Sequence, residues 1–242
     1  MKNTLKTVEL FAGTQSFSKV ARDFGHHTFC TDYEDIDGQD LVADIRDIDA
    51  DDFPWKPDML WASPPCEGFS VMNIGKNWNH DHTPKTPRAE LAMSLVLHTL
   101  RLIEDTEATW WFIENPRDKL RRLDMMEEWK TVNSNPSPNA RVAGDLRSQE
   151  RTVTSVAPGQ TIYRHTVSYC QYGERRQKPT DIWTNAYWWT PRPLCKRGAP
   201  CHDAAPRGSR TGTQGMESYK EKSRIPAQLF IEIFEQLPLS TP

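Results

Sequence analysis

Along this chain, short apolar runs alternate with segments whose apolar residues return every three or four positions. Thr7–Ala12 (TVELFA) reads as a buried strand. Phe17, Val20, Ala21 and Phe24 then fall at helical spacing, with Gly25 as a C-terminal stop. His27–Tyr33 and Asp58–Ala62 predict a second and a third strand. Arg88–Asp105 carries Leu91, Leu95 and Leu102 at helical spacing and leads into a strand at Thr109–Glu114. Lys119–Trp129 reads as a helix, Thr166–Cys170 and Asp181–Trp183 as extended, and Ile225–Leu237 as a closing helix. Strands alternating with helices predict an α/β fold, one sheet with helices on both faces. Two segments break the pattern: the polar Asn73–Pro87 and the Pro-, Gly- and Arg-rich Tyr187–Lys222. Long irregular segments in a compact domain are usually functional or disordered.

A length of 242 residues predicts one compact domain, with room for a small appendage. No run approaches the roughly 20 apolar residues that cross a bilayer, and MKNTLKTVELF lacks an apolar signal region. Five scattered cysteines (30, 66, 170, 195 and 201) do not form a disulfide framework. A cytoplasmic location, in a prokaryote or a phage-infected cell, is the expectation. The net charge of −3 hides an asymmetry. Residues 1–60 hold six Lys/Arg against thirteen Asp/Glu, whereas residues 164–224 hold twelve against five. Such a basic stretch is commonly just a solvated face, but it also attracts polyanions through counterion release.

Four motifs sit where strands are predicted to end. Leu10–Ser16 (LFAGTQS) turns from strand to helix, and ligands of open α/β sheets lie outside the carboxyl ends of strands. Its one glycine does not make the G-x-G-x-x-G of a pyrophosphate site, so a nucleoside without phosphates, such as S-adenosylmethionine, suits it better. Asp32 can accept hydrogen bonds from ribose hydroxyls, Tyr33 can pack on an adenine, and Asp44-Ile45 offers a third contact. Ala62–Ser70 (ASPPCEGFS) follows the third strand; two prolines set a rigid turn that presents Cys66 as a candidate nucleophile. Phe112–Pro116 (FIENP) brings Glu114 to the same sheet edge, and Tyr169–Thr180 places basic and amide donors after another strand. Each motif alone also reads as an ordinary turn, or, for Cys66, as a buried structural thiol.

In this order and spacing, the LFAG turn, Asp32, Asp44-Ile45, Pro-Pro-Cys, Glu-Asn, the YG…R.K segment and Ser223-Arg224-Ile225-Pro226 resemble the DNA (cytosine-5) methyltransferase family, in the short form encoded by bacteriophages. The resemblance implies a Rossmann-like S-adenosylmethionine-dependent sheet with a reduced target-recognition segment. It implies a catalytic domain at 1–186, a basic recognition segment at 187–222 and a returning C-terminal helix at 223–242. It implies cofactor contacts by Phe11, Ala12, Gly13, Thr14, Ser16, Asp32, Tyr33, Asp44, Ile45, Pro64 and Ser223. It further implies catalysis by Cys66, Glu114 and Arg176, in which the Cys66 thiolate adds to cytosine carbon-6 and Glu114 holds the base, so that carbon-5 takes the methyl group. The target base must be flipped out of the duplex, and Asn73–Pro87 takes the place of the family's closing loop.

Double-stranded DNA is the implied partner, contacted by Ser70, Lys76, Arg176, Lys178, Arg192, Arg197, Arg207 and Arg210, and a monomer is favoured. With few side chains available to reach base edges, short or relaxed specificity is expected, and protection from restriction endonucleases is one role for such an enzyme. Trp188 and Trp189 are expected to cap the sheet edge rather than to stack on bases. Several positions depart from the family pattern. The first motif has one glycine, Pro116 follows the Glu-Asn, Arg176-Gln177-Lys178-Pro179-Thr180 stands for Gln-x-Arg-x-Arg, and Ser223 replaces an Asn. RNA methylation, transfer from a modified methyl donor, and an inactive DNA-binding module remain the alternatives. Cys195, Cys201 and His202 invite a zinc reading, but Cys-x5-Cys-His is not the short-knuckle spacing. No fourth ligand is evident, although His165 and Cys170 are near in sequence, so no metal is expected.

Overall fold

The computed structural model describes residues 4–69, 74–127, 131–133, 162–196, 198–203 and 219–238. Its strands are β1 (Lys6–Leu10), β2 (His27–Asp32), β3 (Leu41–Val42), β4 (Met59–Ala62), β5 (Trp110–Pro116), β6 (Thr131–Asn133), β7 (Ile162–Ser168) and β8 (Pro179–Thr184). Its helices are α1 (Ser16–Asp23), α2 (Ile74–Asn77), α3 (Pro87–Thr106), α4 (Asp124–Glu127), α5 (Tyr219–Ser223) and α6 (Ala227–Glu235). The strands form a single sheet in the order β3-β2-β1-β4-β5-β8-β7-β6. The half from β3 to β5 is parallel, and β8 runs antiparallel to both β5 and β7.

Alternation along the strands builds two cores. In β4 and β5, Met59, Trp61, Trp110 and Phe112 face one side, while Leu60, Ala62, Trp111 and Ile113 face the other. The first face is covered by α1 and α6, with Phe17 on Trp61 and Phe230. The second is covered by α3 through Ala92, Val96 and Ile103. This is the doubly covered sheet that the alternating pattern predicts. The strand order reverses between β1 and β4, the point at which such sheets bind ligands. Among the described residues, no helix is long and apolar enough to cross a membrane.

Two sequence expectations need correction. The extended segment Thr166–Cys170 ends at Ser168, and Tyr169–Tyr172 coils into a 3-10 turn closed by Gly173 at φ +86°. The helix expected over Lys119–Trp129 is a 3-10 turn at Lys119–Arg122 followed by α4. An extended Leu123 separates the two, which lets Leu120, Leu123 and Met126 all reach the core. Residues 128–129 lie outside the described residues. Strands β3 and β6 are two and three residues long, too short to leave a pattern.

The start of α1 is held from the sheet. Gln15 offers it no side-chain cap. Instead the carboxylate of Glu9, buried on β1, accepts the N–H groups of Phe17 (3.1 Å) and Ser18 (2.8 Å). These are orphan donors of the first helical turn. Burial pushes the Glu9 pKa from its ordinary 4.5 to about 7, against the pull of those hydrogen bonds and of Arg22. Between pH 4.5 and 7 the folded chain keeps a proton that the unfolded chain loses, so this group's stabilising contribution is full below pH 4.5 and declines up to pH 7. The decline is of order 3 kcal/mol. Urea titrations across that range are expected to show a shallower fall for Glu9→Gln than for the parent; parallel curves would contradict the assignment.

Candidate active site

Four strand ends supply the site. After β1 the chain enters a tight turn in which Phe11, Gly13 and Gln15 all have positive φ (56°, 46° and 54°). Non-glycine residues in this region carry strain of order 1–3 kcal/mol, kept only where the surroundings fix it. Here Ala12 N–H reaches Thr31 O at 3.0 Å, and Gly13 N–H reaches the Asp32 carboxylate at 2.9 Å. The second oxygen of Asp32 accepts from Glu34 N–H. Burial raises the Asp32 pKa, which those backbone donors partly oppose.

A cavity of about 320 Å³ opens between this turn and α3. It brings together Phe11, Asp32, Tyr33, Asp44 and Ile45, all anticipated from the sequence. Its far wall was not anticipated: Arg88, Leu91 and Leu95 of α3. Tyr33 and Leu91 are exposed large side chains that both line it. The sequence places Leu91 and Leu95 at helical spacing and gives them no ligand role. Apolar walls with carboxylates at Asp32, Asp44 and Glu67 suit a nucleoside carrying positive charge, such as S-adenosylmethionine. Asp44 is already engaged: Arg46 donates to both its oxygens (2.9 and 2.6 Å) and holds its pKa down to about 2. Ala12, Gly13, Thr14, Ser16, Pro64 and Ser223 do not line the cavity. Thr14 Oγ1 and Ser16 Oγ bond each other, and Ser16 accepts from Ile225 N–H at 3.4 Å, which ties the Ser223-bearing segment to the turn.

The cavity ends at Pro65, Glu67 and Gly68, the residues that flank Cys66. Cys66 is exposed and starts a 3-10 turn at Cys66–Gly68. Asn115, buried at the end of β5, donates from Nδ2 to Pro64 O at 2.9 Å and so clamps the Pro-Pro turn to its neighbouring strand. A side chain at Gly68 would overlap Ala92 Cβ and come within 3.1 Å of the Arg88 carbonyl oxygen. Gly68→Ala is therefore expected to cost about 1–3 kcal/mol in urea denaturation and to displace Cys66; an unchanged midpoint would contradict this close approach.

Glu114 is buried beside Cys66. It accepts a hydrogen bond from Tyr169 Oη at 2.7 Å, and Lys178 Nζ lies 3.9 Å from the same oxygen and 4.6 Å from the Tyr169 ring centre. Desolvation pushes the Cys66 thiol pKa up; Lys178 opposes this and Glu114 adds to it. Burial and Glu114 raise the Tyr169 pKa well above 10, so its hydroxyl stays a donor. Lys178 itself has φ +27°, again off the ordinary backbone regions.

The cation beside the nucleophile is thus Lys178, whereas the sequence put Arg176 in the catalytic set. Arg176 is buried and turned away. Its guanidinium donates to Glu174 (3.0 Å) and to the carbonyls of Lys222 (3.0 Å), Glu221 (3.3 Å) and Arg224 (3.4 Å), fastening the C-terminal segment. Arg192 is also occupied, by Glu232 (2.6 Å) and Gln171 O (2.7 Å), over the Tyr172 ring. Lys76 is exposed on α2. Ser70, Arg197, Arg207 and Arg210 lie outside the described residues. Trp189 is buried on Phe112 and His165, and Trp188 packs edge-on against Trp110, as sheet-capping residues do. The segment expected to close over the site holds α2 and a bridge between Trp78 and Pro84; Trp78 Nε1 donates to Gly68 O at 2.7 Å.

Comparison with known proteins gives the lineage. The chain is 22% identical over 249 residues to the Frog virus 3 (isolate Goorha) protein named "Probable DNA (cytosine-5)-methyltransferase", covering 96% of this chain and 99% of that one. Among solved structures it is similar to the Entamoeba histolytica methyltransferase EhMeth (14% identity, TM-score 0.45, 76% of this chain and 53% of that one). It is also similar to a Spodoptera frugiperda DNMT2 mutant (13% identity, TM-score 0.42, 81% and 57%). The chain spans about half the length of those solved structures. Residues 5–135 match the family model described as C-5 cytosine-specific DNA methylase, which uses S-adenosylmethionine as methyl donor, and this chain belongs to that family.

Proposed function

We propose that the chain methylates carbon-5 of cytosine in double-stranded DNA through a covalent adduct at Cys66. The observation that carries this reading is that the Glu114 carboxylate and the Lys178 ammonium, 3.9 Å apart, act on the Cys66 thiol, whose chain neighbours Pro65 and Glu67 line the Asp32 cavity. Phe11, Asp32, Tyr33 and Ile45 would hold S-adenosylmethionine, which supplies an electrophilic methyl group. Cytosine carbon-5 is a weak nucleophile until a thiolate adds to carbon-6. The Cys66 sulfur forms that bond, the 5,6 double bond breaks, and its electron pair moves to carbon-5. Glu114 holds the ring through N3 and the exocyclic amine as charge develops, with Tyr169 fixing its carboxylate. Lys178 stabilises the attacking thiolate and Asn115 holds the turn that aims it. Carbon-5 would take the methyl group as the donor's carbon–sulfonium bond breaks, leaving a neutral thioether; solvent water would then take the carbon-5 proton, its electron pair re-forming the 5,6 double bond as the carbon-6–sulfur bond breaks and restores the Cys66 thiolate. None of this is possible within a stacked duplex, so the base is flipped out at a cost of a few kcal/mol. Residues 187–222, between β8 and α6 in sequence, are the proposed target-recognition segment, and Lys76, exposed on α2, is proposed to meet phosphate. So small a reading surface predicts a short recognition sequence, and protection of that sequence from restriction endonucleases is the proposed role.

The test is transfer of a labelled methyl group from S-adenosylmethionine to duplex DNA, single-stranded DNA and RNA. Label recovered as 5-methylcytosine in duplex DNA, lost with Cys66→Ala, is the expected result. Label in RNA alone would move the substrate to RNA, and none in any nucleic acid would overturn the reading.

A further inference from the structure

Away from the cavity, four ligand-bearing side chains from distant parts of the sequence meet. Cys170 lies in the 3-10 turn after β7; Cys195, Cys201 and His202 come from the segment beyond Trp189. Cys195 Sγ is 3.2 Å from Cys201 Sγ and 3.4 Å from His202 Nδ1. Cys201 Sγ is 3.6 Å from Cys170 Sγ and 3.7 Å from His202 Nδ1. All four ligand atoms lie within 4.8 Å of one another. The three sulfurs are free thiols. A tetrahedral zinc with bonds of about 2.3 Å to sulfur and about 2.0 Å to nitrogen has edges of roughly 3.4–3.8 Å; the 3.4, 3.6 and 3.7 Å contacts fall in that range and the 3.2 Å Cys195–Cys201 contact lies just below it.

We propose that Cys170, Cys195, Cys201 and His202 form a structural Cys3His zinc site. Three soft thiolates and one imidazole are a donor set for zinc rather than for hard cations. The set supplies four ligands and leaves no open position, which makes the site structural. The surroundings match those of a built site. Gln171 Nε2 donates to Cys201 Sγ at 3.2 Å, as outer-shell partners of metal ligands do. Cys195 N–H donates to Ser168 Oγ at 3.2 Å, and Gln177 Nε2 to Cys195 O at 3.2 Å. Asp203 N–H donates to Arg175 O at 2.9 Å, while Gly198, at φ +81°, lets the chain turn between the two ligating cysteines. The sequence spacing hid the site because Cys170 is recruited from 25 residues upstream; His165, its rival in sequence, is buried against Trp189 instead.

The metal would join segment 195–203 to the turn that carries Tyr169 at one end and Lys178 at the other. It would thus brace both partners of Glu114. The zinc site stands on its own donor set and does not depend on the substrate assigned above.

The test is metal analysis of the full-length chain purified under reducing conditions. One zinc per chain is expected, retained in Cys66→Ser and falling at least fivefold in Cys195→Ser and in His202→Ala. Should those variants misfold, replacing zinc with Co(II) in the unaltered chain decides the matter: ligand-field bands of a tetrahedral site with thiolate-to-metal charge transfer are expected. A chain that takes up no metal after incubation with Zn(II) in reducing buffer, or one that keeps a Cys195–Cys201 disulfide there, would overturn the proposal.

Discussion

Cys66→Ser is expected to lower methyl transfer by about 10⁴-fold or more, while leaving the folded chain and its Asp32 cavity intact. Serine keeps the shape of the turn, so Pro65 and the Asn115 clamp on Pro64 persist. What it loses is a thiol, which ionises far more readily than a serine hydroxyl. A serine hydroxyl is a weak nucleophile without a base aligned on it, and the neighbouring Glu114 carboxylate is already engaged by Tyr169 and Lys178. Binding of S-adenosylmethionine, read by calorimetry, should change less than threefold. A variant that retained more than a hundredth of the parent rate would show that another group attacks the ring.

The second large effect concerns the charges around that thiol. Glu114→Gln is expected to cut kcat by roughly 10²–10⁴-fold, the range for removing a group that stabilises developing charge. Lys178→Met should cost roughly 10- to 100-fold and also move the pH profile. Desolvation of the sulfur disfavours the Cys66 thiolate, Lys178 favours it and Glu114 disfavours it. Activity therefore rises with pH on the limb set by this thiol. Taking Lys178 away raises the thiol pKa, so that limb of kcat/KM shifts to higher pH, whereas Glu114→Gln shifts it to lower pH. Arg176→Met instead should lower stability, because its guanidinium holds carbonyls of residues 221–224. Its pH profile should keep the parent's midpoint. A shift caused by Arg176 and not by Lys178 would reverse the assignment.

The reversal between Arg176 and Lys178 shows where sequence reasoning reaches its limit. The LFAG turn, Asp32, Cys66 and Glu114 are legible because each lies at, or within a few residues of, the end of a short strand-like run. Such ends in a parallel sheet share one edge, so chemistry from distant motifs converges there without further information. The Tyr169–Thr180 segment is different. Its strand stops at Ser168, a 3-10 turn intervenes, and the next strand starts at Pro179. Which basic residue points at Glu114 depends on the path of that turn, including the unusual φ of Lys178. Nothing in local periodicity encodes that path. The same turn hides Tyr169 as the partner of Glu114 and Cys170 as the fourth ligand of the proposed zinc site. The cavity wall from α3 was missed for a simpler reason. Leu91 and Leu95 have the spacing of core residues, and only the packed structure leaves Leu91 exposed towards a ligand.

The central claim is that Cys66 becomes bonded to the pyrimidine during turnover. Duplex DNA bearing 5-fluorocytosine tests it directly, because a fluorine at carbon-5 cannot depart as the proton does and elimination of the sulfur is blocked. With S-adenosylmethionine present, the account predicts a denaturation-resistant protein–DNA adduct whose peptide mass maps to Cys66 and which is absent in Cys66→Ser. Methyl transfer to ordinary cytosine, with no adduct on the fluorinated duplex or with one mapped to a different residue, would contradict it.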